Sequence, residues 1–390
     1  MKAKLLSLML VLFIIFSVLP VNVNAENDNF IAVSPGAYYS MVLKSDGSLW
    51  AWGNLWAWIG YNGDGTTESK STPVKIMDGV TAVSAAVCHN LAIKNDGSLW
   101  AWGSNYHGQI GDGTKIDIST PIKIMDDVNT ISAGGCHSLA IKNDGSLWAW
   151  GNNYHGQIGD GTTIDRPTPI KIMDDVKAIS AGMSHSLAIK SDGSLWAWGY
   201  LAGLTPVKIM DNVIQISAGG NYTTVIKNDG SLWAFGDNEY GQLGDGTTSA
   251  KTKSVKIMDD VIQVSAGERY TTAIKSDGSL WTWGKNDHGQ LGDGTTDAKL
   301  NPVKIMDSVI QVSAGSNHAM ALKENSIWIW GINDVGQIGD FTTSYKAVTP
   351  LEIILPVYSP KNGDNMAVMV LFAVIMLVAT WWFLNRRRFI

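Results

Sequence analysis

Histidine is the residue type in this sequence best suited to metal binding or proton transfer, and its seven copies fall into two registers of a repeated pattern. The first register holds His89, His137, His185 and His318, together with Tyr39, Tyr222 and Tyr270. The second register holds His107, His155 and His288, together with Tyr240 and Val335. Tyrosine is a poor zinc ligand, whereas both ring types can pack and hydrogen-bond to the backbone, so we interpret the first register as structural. Valine can neither bind nor transfer anything, so the second register is interpreted as ordinary loop positions.

Aspartates recur in six of the seven repeats, in a GDGT motif at Asp64, Asp112, Asp160, Asp245 and Asp293 and in the variant GDFT at Asp340. Calcium requires six to eight oxygen ligands that converge on one point, which acids spread one per repeat do not supply. Turn formation by Asp and Gly explains the motif. The sequence also lacks the G-x-S-x-G, H-E-x-x-H, phosphate-loop and dinucleotide-binding patterns. It therefore predicts no catalytic residue, no metal site and no cofactor.

Two cysteines, Cys88 and Cys136, occupy equivalent positions in neighbouring repeats. A disulfide between them requires their Cα atoms to lie within about 7 Å of each other. No other repeat carries such a pair, so the fold cannot depend on disulfides, and the sequence favours free thiols without settling their redox state.

These side chains are placed by a unit of about 48 residues that recurs seven times. Its most regular element is SLWAWG or a variant of it, beginning at Ser48, Ser98, Ser146, Ser194, Ser231, Ser279 and Ser326. The preceding run, typified by HSLAIK, alternates with period two, and an Asp-Gly pair separates the two runs in six copies, which predicts a β-hairpin. Two further β-prone runs, typified by residues 302–306 and 309–312, complete four short strands per unit.

Seven four-stranded units predict an all-β fold, a seven-bladed β-propeller covering residues 30–357. Thirteen of the 17 tryptophans lie in W-x-W pairs, with Phe235 replacing the second member once. A feature present in every blade is interpreted as packing between blades, and replacement of Trp148 by Ala is expected to cost about 3–5 kcal/mol.

The string SAGGCHSLAIKNDGSLWAWGNNYHGQIGDGT, residues 132–162, resembles the repeat of the regulator of chromosome condensation family. The resemblance covers Val33 to about Val357 and implies a seven-bladed propeller. The family includes nucleotide-exchange factors for a small GTPase. It also includes a secreted bacterial propeller that inhibits β-lactamases by using one face of its ring, which implies protein binding rather than catalysis here.

The two ends of the chain predict export and anchoring. Residues 1–25 carry two lysines, an apolar stretch and small residues ending at Ala25, typical of a signal peptide. After a linker, residues 358–365, the uncharged run 366–384 is long enough to span a membrane, and residues 385–390 form a basic tail that is expected to stay in the cytoplasm. The linker sequence SPKNG resembles the sorting signals of Gram-positive surface proteins, in which a sortase would cleave between Asn362 and Gly363. Because Asn362 stands where that family has Thr, attachment to the cell wall and a plain membrane anchor remain alternatives.

Function is expected where the repeats differ, because a binding face must break the near-sevenfold symmetry. The first repeat carries an aromatic insertion with Trp56, Trp58 and Tyr61, while the fourth lacks 11 residues of the same loop and passes through Tyr200. We interpret these four as candidate binding residues.

Without the signal peptide and the basic tail, the chain has 24 basic and 35 acidic residues. The resulting net charge of about −11 disfavours nucleic acid as a partner. The sequence thus predicts a surface-tethered scaffold that binds an extracellular protein. A carbohydrate-binding surface module is the alternative, and a polysaccharide hydrolase or lyase is a third.

Overall fold

A computed structural model of the protein describes residues 29–53, 63–66, 69–200, 202–324, 326–339 and 344–353. All of them belong to the first of two compact units, residues 1–354; the second unit, residues 355–390, lies outside the described residues. The described ranges contain 28 strands and no helix, and hence no helix long enough to cross a membrane. The predicted signal peptide, linker, membrane span and basic tail all fall outside these ranges.

The 28 strands form seven antiparallel four-stranded sheets, here called blades 1 to 7, and strands within each blade pair in chain order. The first strands of the blades are β1 (Phe30–Pro35), β5 (Val80–Ala85), β9 (Val128–Ala133), β13 (Val176–Ala181), β17 (Val213–Ala218), β21 (Val261–Ala266) and β25 (Gln311–Ala314). The second strands are β2 (Tyr39–Lys44), β6 (His89–Lys94), β10 (His137–Lys142), β14 (His185–Lys190), β18 (Tyr222–Lys227), β22 (Tyr270–Lys275) and β26 (His318–Lys323).

The third strands carry the W-x-W pairs and their variant, and the fourth strands form the outer edges of the blades. The third strands are β3 (Leu49–Gly53), β7 (Leu99–Gly103), β11 (Leu147–Gly151), β15 (Leu195–Gly199), β19 (Leu232–Gly236), β23 (Leu280–Gly284) and β27 (Ser326–Ile332). The fourth strands are β4 (Lys70–Met77), β8 (Ile118–Met125), β12 (Arg166–Met173), β16 (Gly203–Met210), β20 (Lys251–Met258), β24 (Lys299–Met306) and β28 (Lys346–Ile353). The predicted seven-bladed propeller is confirmed.

The predicted hairpin joins the second and third strands of each blade. In blade 3, β10 pairs with β11 so that Ile141 lies opposite Leu147. The carboxylate of Asp144 accepts hydrogen bonds from the backbone N–H of Ser146 at 2.9 Å and from its hydroxyl at 2.5 Å. An Asp side chain that bonds to the backbone two residues later fixes a tight turn, so the hairpin follows directly from the Asp-Gly-Ser sequence.

The first strands surround the central axis, and their ends define two faces of the ring. Where the first strands end, the seven short turns lining the axis, typified by residues 133–135 and 181–183, surround a cavity of about 90 Å³. The long connections between third and fourth strands lie at the same end, which we call the loop face. The Asp-Gly turns lie at the opposite end, which we call the hairpin face. The cavity is lined mostly by Ala and Gly, so the axis is almost filled by backbone.

The two tryptophans of a W-x-W pair have different environments. Trp150 is fully buried and packs in the cluster that joins blades 2 and 3, where its indole N–H donates to the Gln109 carbonyl oxygen at 2.9 Å. Trp148 is only partly buried. Its N–H donates to Ser146 Oγ at 3.0 Å, and Lys142 Nζ lies 5.4 Å from its ring centroid. Packing between blades is confirmed, but the second tryptophan carries most of it.

The ring closes through side chains, because every blade is one continuous segment of chain. Between blades 7 and 1, Ser40 Oγ donates to the Gln337 carbonyl oxygen at 2.8 Å and lies 3.0 Å from His318 Nε2. The Trp52 indole donates to the same carbonyl oxygen at 3.0 Å. The last boundary therefore repeats the contacts found between consecutive blades.

Candidate functional site

The first histidine register ties each blade to the next. His137 Nε2 lies 2.9 Å from Ser186 Oγ of the following blade, and Tyr222 pairs with Thr271 Oγ1 of its following blade at 2.9 Å. Burial lowers the pKa of His137 to about 3, so the ring stays neutral at physiological pH. These positions are structural, as the sequence predicted, and their burial keeps the rings out of reach of a substrate.

The GDGT loops are held in shape by their own side chains. In blade 3, Asp160 Oδ1 accepts hydrogen bonds from Thr162 N and from Asn153 Nδ2, both at 3.0 Å. Arg166 forms an ion pair with the other carboxylate oxygen at 2.6 Å. Burial raises the pKa of Asp160, but the hydrogen bonds from Thr162 and Arg166 outweigh burial and hold it below its usual range. The predicted turn role is confirmed in the described loops, whereas Asp340 lies outside the described residues. Within the described ranges, no three His, Cys, Asp or Glu side chains form a group that could hold a metal.

The shortened repeat makes blade 4 different from its neighbours. Strand β15 ends at Gly199 and β16 begins at Gly203, joined by a turn in which Ala202 N donates to the Gly199 carbonyl oxygen at 2.9 Å. The deleted loop would have supplied the glutamine carbonyl that accepts an indole N–H from the next blade. Phe235 stands at that position in blade 5, and its ring has no N–H to satisfy. The deletion and the Trp-to-Phe difference are therefore structurally coupled.

An exposed aromatic patch lies on the loop face beside this gap. Tyr106 of blade 2 is 73% exposed, Tyr154 of blade 3 is 74% exposed, and Tyr200 of blade 4 is 40% exposed. His155 joins two of them: its ring lies edge-on to Tyr154 at a centroid distance of 4.9 Å and to Tyr200 at 5.2 Å. We call Tyr106, Tyr154, His155 and Tyr200 the aromatic patch. Edge-to-face contacts hold the rings of Tyr154 and Tyr200 against the ring of His155, so this part of the patch is pre-ordered for contact.

Apolar side chains extend the aromatic patch. Ile116 and Ile164, from the same loops as Tyr106 and Tyr154, are exposed, as is Leu204 at the start of β16. The blade 3 loop rests on Leu204, since a Cβ at Gly156 would lie 2.5 Å from Leu204 Cδ2. The patch and its margin therefore combine rigid aromatic rings with exposed aliphatic groups, a composition typical of protein interfaces.

Polar contacts fix the blade 2 loop to blade 3. His107 Nδ1 lies 3.0 Å from Asp165 Oδ2, and Lys115 Nζ lies 3.2 Å from the same oxygen. Burial raises the pKa of Asp165, but hydrogen bonds from His107 and from the Asn153 backbone outweigh it and lower the pKa. His107 and His155 are therefore not the ordinary loop positions that the sequence suggested, because one anchors a loop and the other orders the aromatic patch.

The other half of the loop face has a different character. At the positions of Tyr106 and Tyr154, blades 5, 6 and 7 carry Glu239, Asp287 and Asp334, all exposed. At this register the loop face therefore carries tyrosines on blades 2 and 3 and acidic residues on blades 5 to 7, although blade 7 also presents the exposed Tyr345, whose ring centroid lies 6.3 Å from that of His288. This asymmetry is what a binding face requires of a near-sevenfold ring.

A second exposed apolar feature lies at the hairpin face, where the first strands begin. Ile31, Ile214, Ile262 and Ile310 are exposed at one register on four consecutive blades, namely blades 1, 5, 6 and 7. Blades 2, 3 and 4 carry Thr81, Asn129 and Lys177 at that register. These isoleucines come from four separate blades.

The sequence model of the Regulator of chromosome condensation (RCC1) repeat matches residues 96–141, 144–189, 229–274 and 277–322. A second model with the same description matches residues 80–109, 128–157, 213–242, 261–290 and 309–337. The chain belongs to the RCC1 repeat family. No curated protein matches this RCC1-repeat chain significantly by sequence.

Solved RCC1-type structures share the fold. Prp20p of Saccharomyces cerevisiae is 21% identical, with a TM-score of 0.71 and coverage of 87% of this chain and 89% of that chain. Yeast RCC1 (Prp20) in its complex with Kap60 is 20% identical, with a TM-score of 0.71 and coverage of 88% and 87%. Human WBSCR16 is 20% identical, with a TM-score of 0.68 and coverage of 76% and 87%. At these identities the likeness shows the fold of the RCC1 repeats alone.

Of the predicted binding residues, only Tyr200 falls within the described ranges, and it lies in the aromatic patch. Trp56, Trp58 and Tyr61, in the first RCC1 repeat, lie outside those ranges, as do the predicted processing residues Ala25, Asn362 and Gly363. Sequence reasoning missed Tyr106, Tyr154 and His155. The available signal was that blades 2 and 3 share an exposed Tyr-His pair that later RCC1 repeats replace.

Proposed function

We propose that this RCC1-repeat propeller is a binding protein whose loop face engages a protein partner through the aromatic patch. The observation that carries the proposal is the pair of contacts that His155 makes with Tyr154 and Tyr200, at 4.9 and 5.2 Å between centroids. Tyrosines held in this way lose little conformational freedom on binding, and tyrosine is among the residue types that contribute most to protein interfaces.

Binding is favoured over catalysis by the roles of the reactive residue types. Buried histidines such as His137 hold blades together, and loop carboxylates such as Asp160 hold their own turns. The axial cavity of about 90 Å³ is well below the volume of a typical small-molecule site, roughly 300–1,000 Å³. We therefore propose a non-enzymatic role.

Two solved structures of one relative, Prp20, support a protein as the class of ligand. One solved structure of Prp20 is a complex with Kap60. Another is described together with the binding properties of Prp20p to Gsp1p and histones. Those partners belong to Prp20. For this chain we carry over only the class, a protein, and the acidic balance of the body disfavours nucleic acid.

We also propose that the propeller works outside the cell, tethered by residues 366–384. The support is the sequence pattern of a signal peptide, an apolar span and a basic tail. Fractionation of producing cells separates the two modes of tethering. Release by detergent supports a membrane anchor, whereas retention in wall material after boiling detergent supports sortase attachment; recovery in the cytosol would contradict both.

The binding proposal is tested by affinity capture with the full-length protein in detergent, from secreted and surface extracts. The variant Tyr154→Ala/Tyr200→Ala removes the core of the aromatic patch. The matched control is Ile262→Thr/Ile310→Thr on the hairpin face, because Thr81 already occupies that register in blade 2. A saturable protein lost only with the tyrosine variant supports the proposal. Retention on purified glycans without any protein partner would instead favour the carbohydrate-binding alternative.

A further inference from the structure

The two cysteines of the chain meet at the boundary between blades 2 and 3. Cys88 ends the loop-face turn before β6, Cys136 ends the equivalent turn before β10, and their Sγ atoms lie 3.5 Å apart although 48 residues separate them in sequence. Both are free thiols in this structure. The other five blades carry no cysteine, so the pair is unique to this boundary.

We propose that Cys88 and Cys136 are a modification site that forms a reversible disulfide, covalently joining blades 2 and 3. The sulfur atoms lie 3.5 Å apart, and bond formation requires them to approach to about 2.05 Å. This inference does not depend on what the loop face binds; it requires only an oxidant of the disulfide class.

The environments of the two thiols assign them different roles. Cys136 is partly exposed, whereas Cys88 is buried, with Gln109 Nε2 at 3.4 Å and the Gly135 carbonyl oxygen at 3.0 Å from its sulfur. The hydrogen bond between the two thiols lowers the pKa of Cys136 and raises that of Cys88, and burial raises the latter further. Cys136 is thus the accessible thiol that forms a thiolate more readily, and Cys88 is the resolving thiol.

The reaction is thiol–disulfide exchange in two steps. The Cys136 thiolate attacks one sulfur of a small-molecule disulfide, forms a mixed disulfide and releases the first small thiolate. The Cys88 thiol loses its proton and attacks Cys136 Sγ, which releases the second small thiolate. The two protons of the cysteines pass to the two released thiolates, so one disulfide is reduced to two thiols as one protein disulfide forms.

The bond would lie at the base of the aromatic patch. The carbonyl oxygen of Cys88 accepts a hydrogen bond from Ser104 N at 2.8 Å, and that of Cys136 accepts one from Asn152 N at 2.9 Å. Ser104 and Asn152 begin the loops that carry Tyr106 and Tyr154. Oxidation would therefore tie together the roots of these two loops.

The test exposes the native full-length protein to buffers with stepped ratios of oxidised to reduced glutathione, followed by thiol titration and peptide mapping. We expect two titratable thiols under reducing conditions and none under oxidising conditions, with one peptide pair linked through Cys88 and Cys136 and an upward shift of several degrees in Tm. Reductant should restore both thiols. Thiols that persist in oxidised glutathione, or stable glutathione adducts on both cysteines, would overturn the proposal.

Single variants test the assigned order. In Cys88→Ser, Cys136 should be trapped as the mixed disulfide with glutathione in the folded protein. In Cys136→Ser, Cys88 should react only after unfolding in denaturant. Rapid modification of Cys88 in the folded Cys136→Ser protein, with none of Cys136 in Cys88→Ser, would contradict the assignment of the attacking thiol.

Discussion

Trp198 donates its indole N–H to the Gln157 carbonyl oxygen at 2.8 Å, across the boundary between blades 3 and 4. The same bond recurs at other boundaries, as between Trp283 and Gln242 at 3.0 Å, where Gln242 belongs to blade 5 and Trp283 to blade 6. It cannot form between blades 4 and 5, because blade 4 lacks the glutamine loop and blade 5 has Phe235 at the tryptophan position. One hydrogen bond thus explains why two departures from the repeat occur together, and why the gap beside Tyr200 does not leave a buried N–H unpaired.

Exchanging the two aromatic types tests this coupling. Trp198→Phe should destabilise the protein by about 1 kcal/mol, because it removes one buried hydrogen bond while keeping an aromatic ring. Phe235→Trp should give no gain, because no glutamine carbonyl is present to accept its N–H. Urea denaturation of both variants measures the free energies of unfolding; a clear stabilisation by Phe235→Trp would contradict the explanation.

The two tryptophans of one pair should differ in their contribution to stability. Trp150→Ala is expected to cost about 3–5 kcal/mol, since its side chain fills the interface between blades 2 and 3. Trp148→Ala should cost less, because its ring, although it packs against the same cluster, is partly exposed and its indole N–H donates to Ser146 of its own blade. The large loss of stability that the sequence predicted for Trp148→Ala is therefore expected for Trp150→Ala instead. Equal losses in a denaturation experiment would contradict this division.

Stability should fall as the pH drops below about 6.5, because buried histidines stay neutral in the folded ring. Burial lowers the pKa of His185 to about 4, whereas an unfolded histidine titrates near 6.5. Between these values the unfolded state binds a proton that the folded state does not, so each such histidine lowers the free energy of unfolding by roughly 1.4 kcal/mol per pH unit. Above about 6.5 both states are neutral and the contribution is constant.

His185→Tyr provides a matched test of this pH dependence. His185 Nε2 lies 3.2 Å from Thr223 Oγ1, and Tyr222 already makes the equivalent contact with Thr271 Oγ1 in the next blade. The variant should fold, and its unfolding free energy should fall less steeply between pH 6.5 and 4.5 than that of the unchanged protein. Identical slopes in urea denaturation across this range would show that His185 does not contribute.

The sequence predicted the fold well because the information is local and repeated seven times. The Asp-Gly-Ser turn bonds to itself, as Asp144 does with Ser146, so in six of the seven blades the hairpin can be predicted from the local sequence. How deeply a side chain is buried within the ring is not determined by the local sequence. Both members of a W-x-W pair face the same side of the strand, but which of Trp148 and Trp150 is buried more deeply between the blades depends on blade twist and spacing, which the alternation does not contain.

The aromatic patch could be predicted only in part. The deletion in blade 4 pointed to Tyr200, but His155 lies 45 positions earlier and acquires its role from contact across a blade boundary. A pattern that contained histidine, tyrosine and valine at one register looked unimportant because its members were expected to share one role. They do not: His107 bonds to Asp165, whereas His155 packs on Tyr200. The distance between the Cys88 and Cys136 sulfurs escaped the sequence for the same reason, since it depends on the rotation between adjacent blades.

The most direct test of the central claim is the dissociation constant of the captured partner for the full-length protein and its two double variants. If the loop face binds through the aromatic patch, Tyr154→Ala/Tyr200→Ala should raise Kd by about 30-fold or more, the effect of losing one interface hot spot. Ile262→Thr/Ile310→Thr should leave Kd unchanged. An unchanged Kd for the tyrosine variant, or a large increase for the isoleucine variant alone, would contradict the assignment of the loop face.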